Sequence, residues 1–600
     1  METKSLNPFA RFWLNGLKIM MLLFAVLCMQ SAQAQDPAQY GTPFAGVPNP
    51  MDANIYQVNI RPFSAAGNLA GVTARLDQIK ALGINVVYIL PVYPHGTDSR
   101  SSISPYCIKD FESVATEYGT LTDLRALVDG AHSRGMAVLM DFVVNGTSWD
   151  HPWITANPSW YVQSGGVIQQ LSSYTDVAAL NFSNTAMRTA IINSMRYWVF
   201  AANVDGFRCD FANNPPLDFW TQAISNLRGI TTHKLLMLAE GDRQANLQSG
   251  FDYNFGFNIY YNALVPIHSG SSVATIQTSL NYEYADATGS QQLAHYTDNQ
   301  DVNGTSTGLT VFGGTAGVMA NFIVCAYMRG VPFLYDGQEV AFNTPIPWPW
   351  NTVKINWAGN TAVTAEFTKV LGYRNTSTAI RRGTMTNYSN TNVCAFTKTS
   401  GTEKVVVLVN LRNSTSTFVV PAALAGSYKD AYTGAAVTLT SGATISLAAY
   451  QYMVSTNQGA GSGGTTTYYQ IINRWQATSY LYDSGNGKVS YGTTPTTTNY
   501  QWTKVDAGSG YFLLKNRATG NLMHVEDQNG AVEATVGNTT WYSAMWSAPV
   551  ASGAWVNLQN RWQTADLINI EGLVGYAQYA GAQTSFYSAQ WQFVNPVTGP

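Results

Sequence analysis

Short apolar runs alternate with amphipathic segments between about Asn54 and Tyr335. The strand-like runs are Ile55–Ile60, Val86–Leu90, Ala137–Val144, Gly206–Asp210, Leu235–Glu240, Leu293–Asp298 and Val331–Tyr335. Strands that alternate with helices indicate a parallel sheet of the α/β class. Because the repeats extend over roughly 300 residues, they favour a closed (β/α)8 barrel over a doubly wound sheet. No Gly-x-Gly-x-x-Gly follows the first strand, which disfavours a dinucleotide-binding fold.

For one helix of this region, the sequence predicts both the first and the last turn. Segment Leu121–Arg134 has apolar residues at positions i, i+3, i+4 and i+7, as one buried helix face requires. Thr120 and Asp123 form a capping box at its start, and Gly135 can end it. A helix with both signals fits between two barrel strands.

The pattern changes after the barrel, which gives a five-part division of the chain. From about Asn387, alternating strands such as Lys404–Asn410 predict a small antiparallel β-sandwich that ends near Val454. Asn457–Thr467 is rich in Gly, Ser and Thr and has the composition of a flexible linker. The predicted parts are residues 1–34 (signal peptide), 35–384 (barrel, with a short insert at about 145–178), 385–456 (sandwich), 457–467 (linker) and 468–600 (C-terminal module).

The last 130 or so residues contain a threefold repeat. An Asn-Arg pair recurs at intervals of 43 and 44 residues, and a Trp recurs at intervals of 44 and 45. The repeated positions are Asn473-Arg474, Asn516-Arg517, Asn560-Arg561, Trp502, Trp546 and Trp591. Three copies predict a β-trefoil, and the Gln-x-Trp-like units resemble the ricin-type carbohydrate-binding modules. We expect the repeated Trp residues to form the core and any sugar to bind on the loops between them.

The N-terminus has the pattern of a cleaved signal peptide. Lys18 precedes an apolar run from Ile19 to Met29, and Ala32-Gln33-Ala34 supplies a small-x-small cleavage site. The run is too short for a membrane anchor, so we expect a protein secreted to the periplasm or the exterior. Cleavage of the signal peptide would remove Cys28 and leave four cysteines. These four are too widely spaced for a disulfide scaffold and are predicted to be buried free thiols. They are Cys107, Cys209, Cys325 and Cys394.

Composition narrows the classes of partner. Charged residues make up 11% of the chain and the formal net charge is −3. The chain therefore lacks the excess of basic residues that binding to nucleic acid or to an anionic membrane requires. Aromatic residues reach 12%. Few charges and many aromatic planes suit a protein that handles neutral sugars, although an ordinary all-β secreted protein has a similar composition.

Several predicted barrel strands finish in a carboxylate, at the end of the barrel where active sites form. These carboxylates are Asp141, Asp210, Glu240, Asp298 and Asp301. One such Asp is commonly a helix cap. Several carboxylates on one rim repel each other, and this cost indicates that a functional site uses them. Retaining glycoside hydrolysis needs two carboxyl groups about 5–5.5 Å apart, one as nucleophile and one as general acid. Arg208 lies two residues before Asp210, so both side chains point to one face of the strand.

These segments resemble the four ordered motifs of glycoside hydrolase family 13, the α-amylase family. The matching segments are Leu139-Met-Asp-Phe-Val-Val-Asn145, Gly206-Phe-Arg-Cys-Asp210, Leu236-Met-Leu-Ala-Glu240 and Tyr296-Thr-Asp-Asn-Gln-Asp301. Similarity covers roughly residues 50–455. The resemblance implies that Asp210 is the nucleophile, Glu240 the general acid/base and Asp301 the transition-state stabiliser. It also implies that Arg208 orients Asp210, Asp141 shapes the site and Tyr106 stacks on the sugar.

Two positions depart from the family pattern, which has His at both. Gly146 follows Asn145, and Gln300 precedes Asp301. The family histidines hydrogen-bond sugar hydroxyls in the cleavage subsite; Gln300 keeps a donor, and Gly146 has no side chain to donate one. Two hypotheses follow: a weakened enzyme, or a site in which Gly146 leaves room for a different substrate. Asn145 matches a frequent calcium ligand of the family, so calcium is a candidate metal, although the insert has no acidic cluster.

The sequence therefore predicts a secreted α-glucosidic hydrolase of the α-amylase type that acts on starch-like glucans or maltooligosaccharides. Two alternatives stay open. The same site serves α-glucan transglycosylation when the acceptor is a sugar hydroxyl instead of water, and a protein with weakened or lost catalysis would act as a glucan-binding protein. We expect no required cofactor and a monomer.

Overall fold

The computed structural model describes residues 36–101, 104–458, 466–508, 511–538 and 541–599. The predicted signal peptide and most of the predicted linker lie outside these residues. Within them, no helix has both the length and the apolar character needed to cross a membrane. The chain divides into two compact units, with the division between residues 463 and 464 of the sequence.

Within the described residues, eight parallel strands close into a barrel in sequential order, with the first strand paired to both the second and the last. Its strands are β1 (Ile55–Val58), β2 (Val86–Ile89), β3 (Ala137–Phe142), β4 (Gly206–Cys209), β5 (Leu236–Ala239), β6 (Tyr253–Phe255), β7 (Gln292–Tyr296) and β8 (Val331–Tyr335). The predicted (β/α)8 barrel is confirmed. The sequence analysis found seven of these strands and missed β6, which has only three residues between Gly250 and Gly256.

Helices surround the barrel and cover the outer faces of its strands. The helices of four or more residues are Ile60–Phe63, Leu69–Thr73, Leu76–Ala81, Leu121–Ser133, Pro152–Ala156, Thr185–Ala202, Leu217–Arg228, Ala245–Gln248, Val265–His268, Thr275–Glu283, Gln300–Asn303, Gly308–Val311, Thr315–Tyr327, Thr361–Thr376 and Thr378–Arg382. A further short helix, Phe257–Ile259, leads into a π-helical turn, Tyr260–Leu264. Thr120 caps Leu121–Ser133 through the predicted capping box with Asp123.

The barrel strands are buried on both faces, as parallel strands beneath a layer of helices must be. Every residue of β1, β2 and β3 is buried. Each fully buried Val, Leu or Ile contributes about 1.5–3 kcal/mol to folding, so these runs make the barrel a rigid support for its rim. The four predicted free thiols, at Cys107, Cys209, Cys325 and Cys394, are all free and buried.

An insert follows β3 and forms one wall of the barrel mouth. A strand at Gly146–Thr147 pairs with Tyr174–Ala179, which pairs in turn with Gln170–Leu171. A two-stranded hairpin joins Gln163–Ser164 to Val167–Ile168. His151 is the N-cap of helix Pro152–Ala156 and accepts a hydrogen bond from the Trp153 backbone N–H.

Antiparallel sheets follow the barrel. Their strands are β9 (Thr384–Asn387), β10 (Val393–Ser400), β11 (Glu403–Asn410), β12 (Ser416–Val419), β13 (Gly426–Asp430), β14 (Ala436–Leu439), β15 (Thr444–Leu447) and β16 (Tyr452–Thr456). Six form one sheet, and β12 pairs with β15 in a second. Alternation along β10 serves two cores: Val393 and Ala395 face the sandwich interior, whereas Cys394 and Phe396 join the core of the barrel.

Within its described residues, the C-terminal unit consists of strands, turns and three short 3-10 helices, Thr498–Tyr500, Tyr542–Ala544 and Tyr587–Ala589. Its strands are Thr466–Asn473, Tyr480–Asp483, Val489–Gly492, Trp502–Gly508, Tyr511–Asn516, Leu522–His524, Glu533–Thr535, Met545–Ser547, Val550–Ser552, Trp555–Asn557, Gln559–Asn560, Leu567–Asn569, Gln578–Ala580 and Gln590–Gly599. The three repeated Trp residues are fully buried in one core. Each indole N–H donates to a backbone carbonyl: Trp502 to Leu481 (3.0 Å), Trp546 to Met523 (2.8 Å) and Trp591 to Ile568 (2.8 Å).

The sequence repeat is therefore also a repeat of contacts. The three repeated Asn side chains donate to the carbonyls of Ser588, Asn499 and Ser543 at 2.7–2.9 Å. The backbone N–H of each following Arg donates to the carbonyl of Gln590, Gln501 or Met545 at 2.8–2.9 Å. Equivalent residues thus close equivalent loops, which is why the Asn-Arg pair recurs with the Trp.

Replacing a core Trp should destabilise this unit strongly. Trp546→Ala removes a buried indole and its hydrogen bond to Met523, and we expect a loss of about 3–5 kcal/mol. The matched control is Trp562→Ala, because the Trp562 side chain is 42% exposed and its loss should cost about 0.5 kcal/mol or less. Chemical unfolding followed by tryptophan fluorescence measures both; equal destabilisation would contradict the assignment of the repeated Trp to the core.

Candidate active site

The predicted site residues meet at the carboxyl ends of the barrel strands. Asp141 lies in β3 and Arg208 in β4, and Asp210 and Glu240 follow directly after β4 and β5. Gln300 and Asp301 begin the short helix after β7. A cavity of about 580 Å³ opens there. It is lined by Tyr106, Asn145, Asp210, Glu240, Gln300 and Asp301 together with residues of the insert.

Arg208 is the centre of the site. Its fully buried guanidinium contacts both oxygens of Asp141 at 2.9 Å and Oδ1 of Asp210 at 2.8 Å. Its other terminal nitrogen lies 2.7 Å from Oε1 of Glu240. Because one planar group contacts Asp210 and Glu240, these two carboxylates are held side by side.

Four carboxyl groups lie near this one cation, of which Asp141 is buried and the other three line the cavity. Burial raises the pKa of Asp141 to about 6, and burial together with the charge of Glu240 raises that of Asp301 to about 7. Burial and the Glu240 charge also raise the pKa of Asp210, while Arg208 opposes the rise. The set of carboxyl groups around Arg208 therefore keeps a proton close to neutral pH. A general acid needs such a proton, and a nucleophile needs a neighbouring carboxyl that has lost one.

Phe211 gives Glu240 a second partner. Its φ of 44° lies in the left-handed region, which is uncommon for a bulky residue. In this conformation its backbone N–H donates to Oε2 of Glu240 at 2.6 Å, while its ring lies 6.0 Å from that of Tyr174. The backbone beside Asp210 thus orients the Glu240 carboxylate, and the Phe211 ring forms part of the cavity wall.

Gln300 connects Asp301 to the barrel wall. Its amide nitrogen donates to Oδ2 of Asp301 at 2.9 Å, and its oxygen accepts a hydrogen bond from the side chain of Gln57 in β1. Gln57 and Gln300 are both buried. The amide donor of Gln300 is therefore engaged with Asp301, so Gln300 positions that carboxylate in this structure.

Aromatic rings surround the carboxylates. Tyr88 and Tyr106 donate hydrogen bonds to Oδ2 of Asp141 at 2.6 and 3.3 Å. The Tyr106 ring stacks on Trp348 with centroids 5.8 Å apart, and Trp348 lies at the edge of Trp350 at 4.8 Å. Half-exposed Trp348 thus extends the aromatic surface of Tyr106 to the rim of the cavity. Flat rings beside carboxylates form a surface suited to the C–H faces of a sugar.

Comparison with known proteins agrees with this geometry. Residues 37–165 match the family described as "Alpha amylase, catalytic domain". The crystal structure of an α-amylase from Lactobacillus plantarum superposes over 68% of this chain and 99% of its own, with a TM-score of 0.61 and 26% identity. The catalytic unit is therefore similar to the catalytic domains of α-amylases in sequence over residues 37–165 and in fold over most of its length.

Curated relatives match shorter stretches. "Alpha-amylase 2" of Dictyoglomus thermophilum is 30% identical over 181 residues, which are 29% of this chain and 31% of that protein. "Alpha-glucosidase" of Pediococcus pentosaceus is 31% identical over 199 residues, which are 27% of this chain and 35% of that protein. The matched segments thus span about a third of the length of these two relatives. Both of these relatives are named as enzymes that act on α-linked glucans or glucosides.

Gly146, which stands where the α-amylase family has His, has no room for a side chain. A Cβ at this position would lie 2.3 Å from Cγ1 of Val177 and 2.5 Å from the carbonyl oxygen of Ala178. Gly146 pairs with Ala179 in the insert, so the neighbouring strand fills the space. Gly146 does not open space for a larger substrate, contrary to that hypothesis. Val177 and Leu171 instead form an apolar wall there.

Asn145 does not fit the calcium-binding role that the α-amylase family resemblance suggests. Its side-chain oxygen accepts a hydrogen bond from the Asn214 amide at 2.9 Å, and its nitrogen donates to the Asp210 carbonyl at 2.7 Å. An N–H donor aimed at the oxygen occupies the direction from which a cation would bind. No group of three His, Cys, Asp or Glu side chains suited to a metal occurs in the described part of the chain. Asn145 therefore links the end of β3 to Asp210, the residue that follows β4.

The sequence analysis missed several residues of this site. Gln57, Tyr88 and Phe211 contact the predicted residues, and Trp348 and Val177 line the cavity. Alternation along β1 and β2 provides a signal for Gln57 and Tyr88, because these positions face the barrel interior. No sequence signal identifies Val177 or Trp348, which come from long loops.

Adding one methyl group at Gly146 should already disturb the site. Gly146→Ala forces Val177 or the Ala178 backbone to move, and we expect a cost of about 1–3 kcal/mol in the free energy of unfolding. Gly304→Ala is a matched control, because the nearest atoms to its Cβ would be 3.5 Å or more away. Denaturant unfolding of the two variants compares them; a Gly146→Ala variant as stable as wild type would contradict the packed wall.

Proposed function

We propose that the protein is a secreted retaining glycosidase that hydrolyses α-glucosidic bonds of starch-like glucans or maltooligosaccharides. One observation carries the proposal: a single buried guanidinium, Arg208, holds Asp210 and Glu240 side by side at 2.8 and 2.7 Å. Adjacent carboxyls suit retention, because an inverting pair stands further apart to admit a water molecule. The names of the relatives, an α-amylase and an α-glucosidase, support α-glucosidic substrates.

The proposed reaction has two displacements. Asp210 attacks the anomeric carbon as the glycosidic bond breaks, and Glu240 transfers a proton to the departing oxygen. A covalent glycosyl-enzyme results. Glu240, now ionised, then removes a proton from water, and the resulting attack on the anomeric carbon releases Asp210. Asp301, fixed by Gln300, stabilises the positive charge that develops on the sugar ring in both transition states.

Two related functions compete with hydrolysis. Transglycosylation replaces the water with a sugar hydroxyl in the second displacement, and half-exposed Trp348 at the rim offers a ring on which such an acceptor can stack. A binding protein without catalysis is the weaker alternative. All three carboxylates are present, and both Asp210 and Glu240 are held by specific contacts, which a site without chemistry does not require.

Supporting features complete the proposal. The pairing of Asn145 with Asn214 supports an enzyme that needs no calcium at this position. The N-terminal 34 residues have the signal-peptide pattern, which supports secretion. The three equivalent Trp contacts in the C-terminal unit support a β-trefoil of the ricin type.

The C-terminal unit is proposed to bind the glucan on two of its three repeats. Trp475 and Trp562 occupy equivalent positions, two residues after the repeated Asn, whose side-chain oxygen accepts their backbone N–H at 2.9 Å. Their side chains are 45% and 42% exposed. The third repeat has Ala518 at this position. Two exposed indoles on ordered loops are suited to stack on sugar rings, and the third loop has no ring to offer.

Removing either reacting carboxylate should abolish turnover without unfolding the barrel. We expect Asp210→Asn and Glu240→Gln to lower kcat on maltooligosaccharides by a factor on the order of 10³ or more. Asp218→Asn, which alters an exposed carboxylate paired with Arg188, is the matched control. Product analysis by chromatography measures all three. Activity within tenfold of wild type, or about 1.4 kcal/mol of barrier, would overturn the assigned roles.

Glu240→Gln should also move a pH profile in a defined direction. The Glu240 charge raises the pKa of Asp210, so its removal lowers that pKa and shifts the acidic limb of the profile to lower pH. α-Glucosyl fluoride is the suitable substrate, because fluoride leaves without a general acid. An acidic limb that stays in place or moves to higher pH would contradict the charge coupling.

Loss of the exposed indoles should weaken attachment to polysaccharide while turnover of short substrates is kept. We expect the double variant Trp475→Ala/Trp562→Ala, and a chain lacking Gly464–Pro600, to bind insoluble starch less tightly than the full chain. A tenfold or greater rise in Kd corresponds to the loss of two stacking contacts of about 1 kcal/mol each. Thr519→Ala in the repeat without an indole serves as the control. Equal retention of all forms on every glucan tested would remove the binding role.

A further inference from the structure

A second cavity, of about 610 Å³, lies at the end of the barrel opposite the active site. Gln292 begins β7, Met51 precedes β1 and Arg329 precedes β8, so the amino-terminal ends of the strands form its floor. Met385 of β9 and Lys398 of β10 close it from the side of the antiparallel sheet. The cavity thus lies where the barrel and that sheet meet, and the proposed reaction does not use it.

Its charge is unusual for a chain with so few charged residues. Four cationic side chains line it: Arg329, Arg381, Arg382 and Lys398. No Asp or Glu is among the described residues that line it. Asp52 lies beside it and pairs with Arg381 at 2.7 Å and with Arg382. One carboxylate therefore balances three guanidinium groups and Lys398, which leaves an excess of at least about two positive charges.

Lys398 is the most informative of the four. Its side chain is 2% exposed, yet it has no hydrogen-bond or ion-pair partner among the described residues. Burial, with the charges of Arg374 and Arg329, lowers its pKa to about 7. A buried ammonium without a counter-ion is costly, and natural proteins seldom keep one without a use. An anion in the cavity would supply the missing partner.

The neighbouring groups suit an oxyanion. The Arg329 guanidinium lies flat over the ring of Tyr284, 3.7 Å from its centroid, so its N–H edge stays available. The amide of Asn281 also lines the cavity, and its oxygen already accepts a hydrogen bond from Gln277 at 2.8 Å, which leaves its N–H₂ group to donate. Guanidinium forks, an ammonium and an amide donor match the several oxygens of a phosphate group.

We propose that this cavity is a binding site for a phosphate group, carried either by inorganic phosphate or by a small phosphate ester such as a sugar phosphate. The ligand would contact Arg329 of the barrel and Lys398 of the sheet at once. Its binding would neutralise repulsion between them and strengthen the packing of sheet on barrel. A water molecule occupies about 30 Å³ in the liquid, so the cavity has space for an ester as well as for the free ion.

Calorimetric titration of the full-length protein in phosphate-free buffer tests the site. The probes are inorganic phosphate and glucose 6-phosphate, with glucose and sodium chloride at matched ionic strength as controls. We expect saturable binding of at least one phosphate probe and none of chloride. Tighter binding of the ester identifies an ester site, and equal or tighter binding of the free ion identifies a phosphate-ion site. Failure of both probes to bind at about 10 mM would overturn the proposal.

Two variants decide where the probe binds. Lys398→Met and Arg329→Gln should each raise the Kd tenfold or more, whereas Lys429→Met, on the exposed face of β13 in the same sheet, should leave it unchanged. Without phosphate, Lys398→Met should have a higher Tm than wild type, because it removes a buried unpaired charge, and phosphate should no longer raise it. Unchanged affinity in both cavity variants would overturn the proposal, and the outcome is independent of glycosidase activity.

Discussion

The buried guanidinium of Arg208 is the interaction on which the site depends. Without a cation, Asp141, Asp210 and Glu240 would hold like charges close together, which raises the free-energy cost of ionising each of them. With it, all three carboxyls lie 2.7–2.9 Å from one planar group. Tyr88 donates a further hydrogen bond to Asp141, and the Phe211 backbone donates one to Glu240. The rigid barrel beneath is what makes this arrangement possible, since each partner is fixed by a strand or by the residue that follows it.

The departures from the α-amylase family pattern are compensated locally by different means. Gln300 keeps a hydrogen-bonding role, but directs it to Asp301 and to Gln57. At Gly146 the compensation is steric: a strand of the insert packs where the family has a side chain, and Val177 presents a methyl group at that place. The cavity wall on this side is therefore apolar, formed by Val177 and Leu171.

The catalytic unit has two clusters of charged side chains, one at each end of the barrel. The carboxyl end of the barrel concentrates acidic groups around one Arg, while the opposite end concentrates four cations around one Asp. Each cluster contains a buried ionisable side chain, Asp141 or Lys398, and a buried charge is stable only with a compensating partner. For the acidic cluster that partner is Arg208 and a shared proton. For the basic cluster the protein supplies Asp52 alone, and the remaining charge calls for an external anion.

The sequence by itself determined seven of the eight barrel strands, the capped helix at Leu121, the threefold repeat and the three carboxylates with Arg208. These features are local: alternation, helical periodicity, caps and strand-end motifs are set by neighbours in the chain. Only the tertiary structure decided that β6 exists and that Val177 packs against Gly146. It also decided that Asn145 pairs with Asn214 and that Lys398 and Arg329 line one cavity. The members of each of these pairs lie about 30 to 70 residues apart and meet through packing of separate elements, so no periodicity records them.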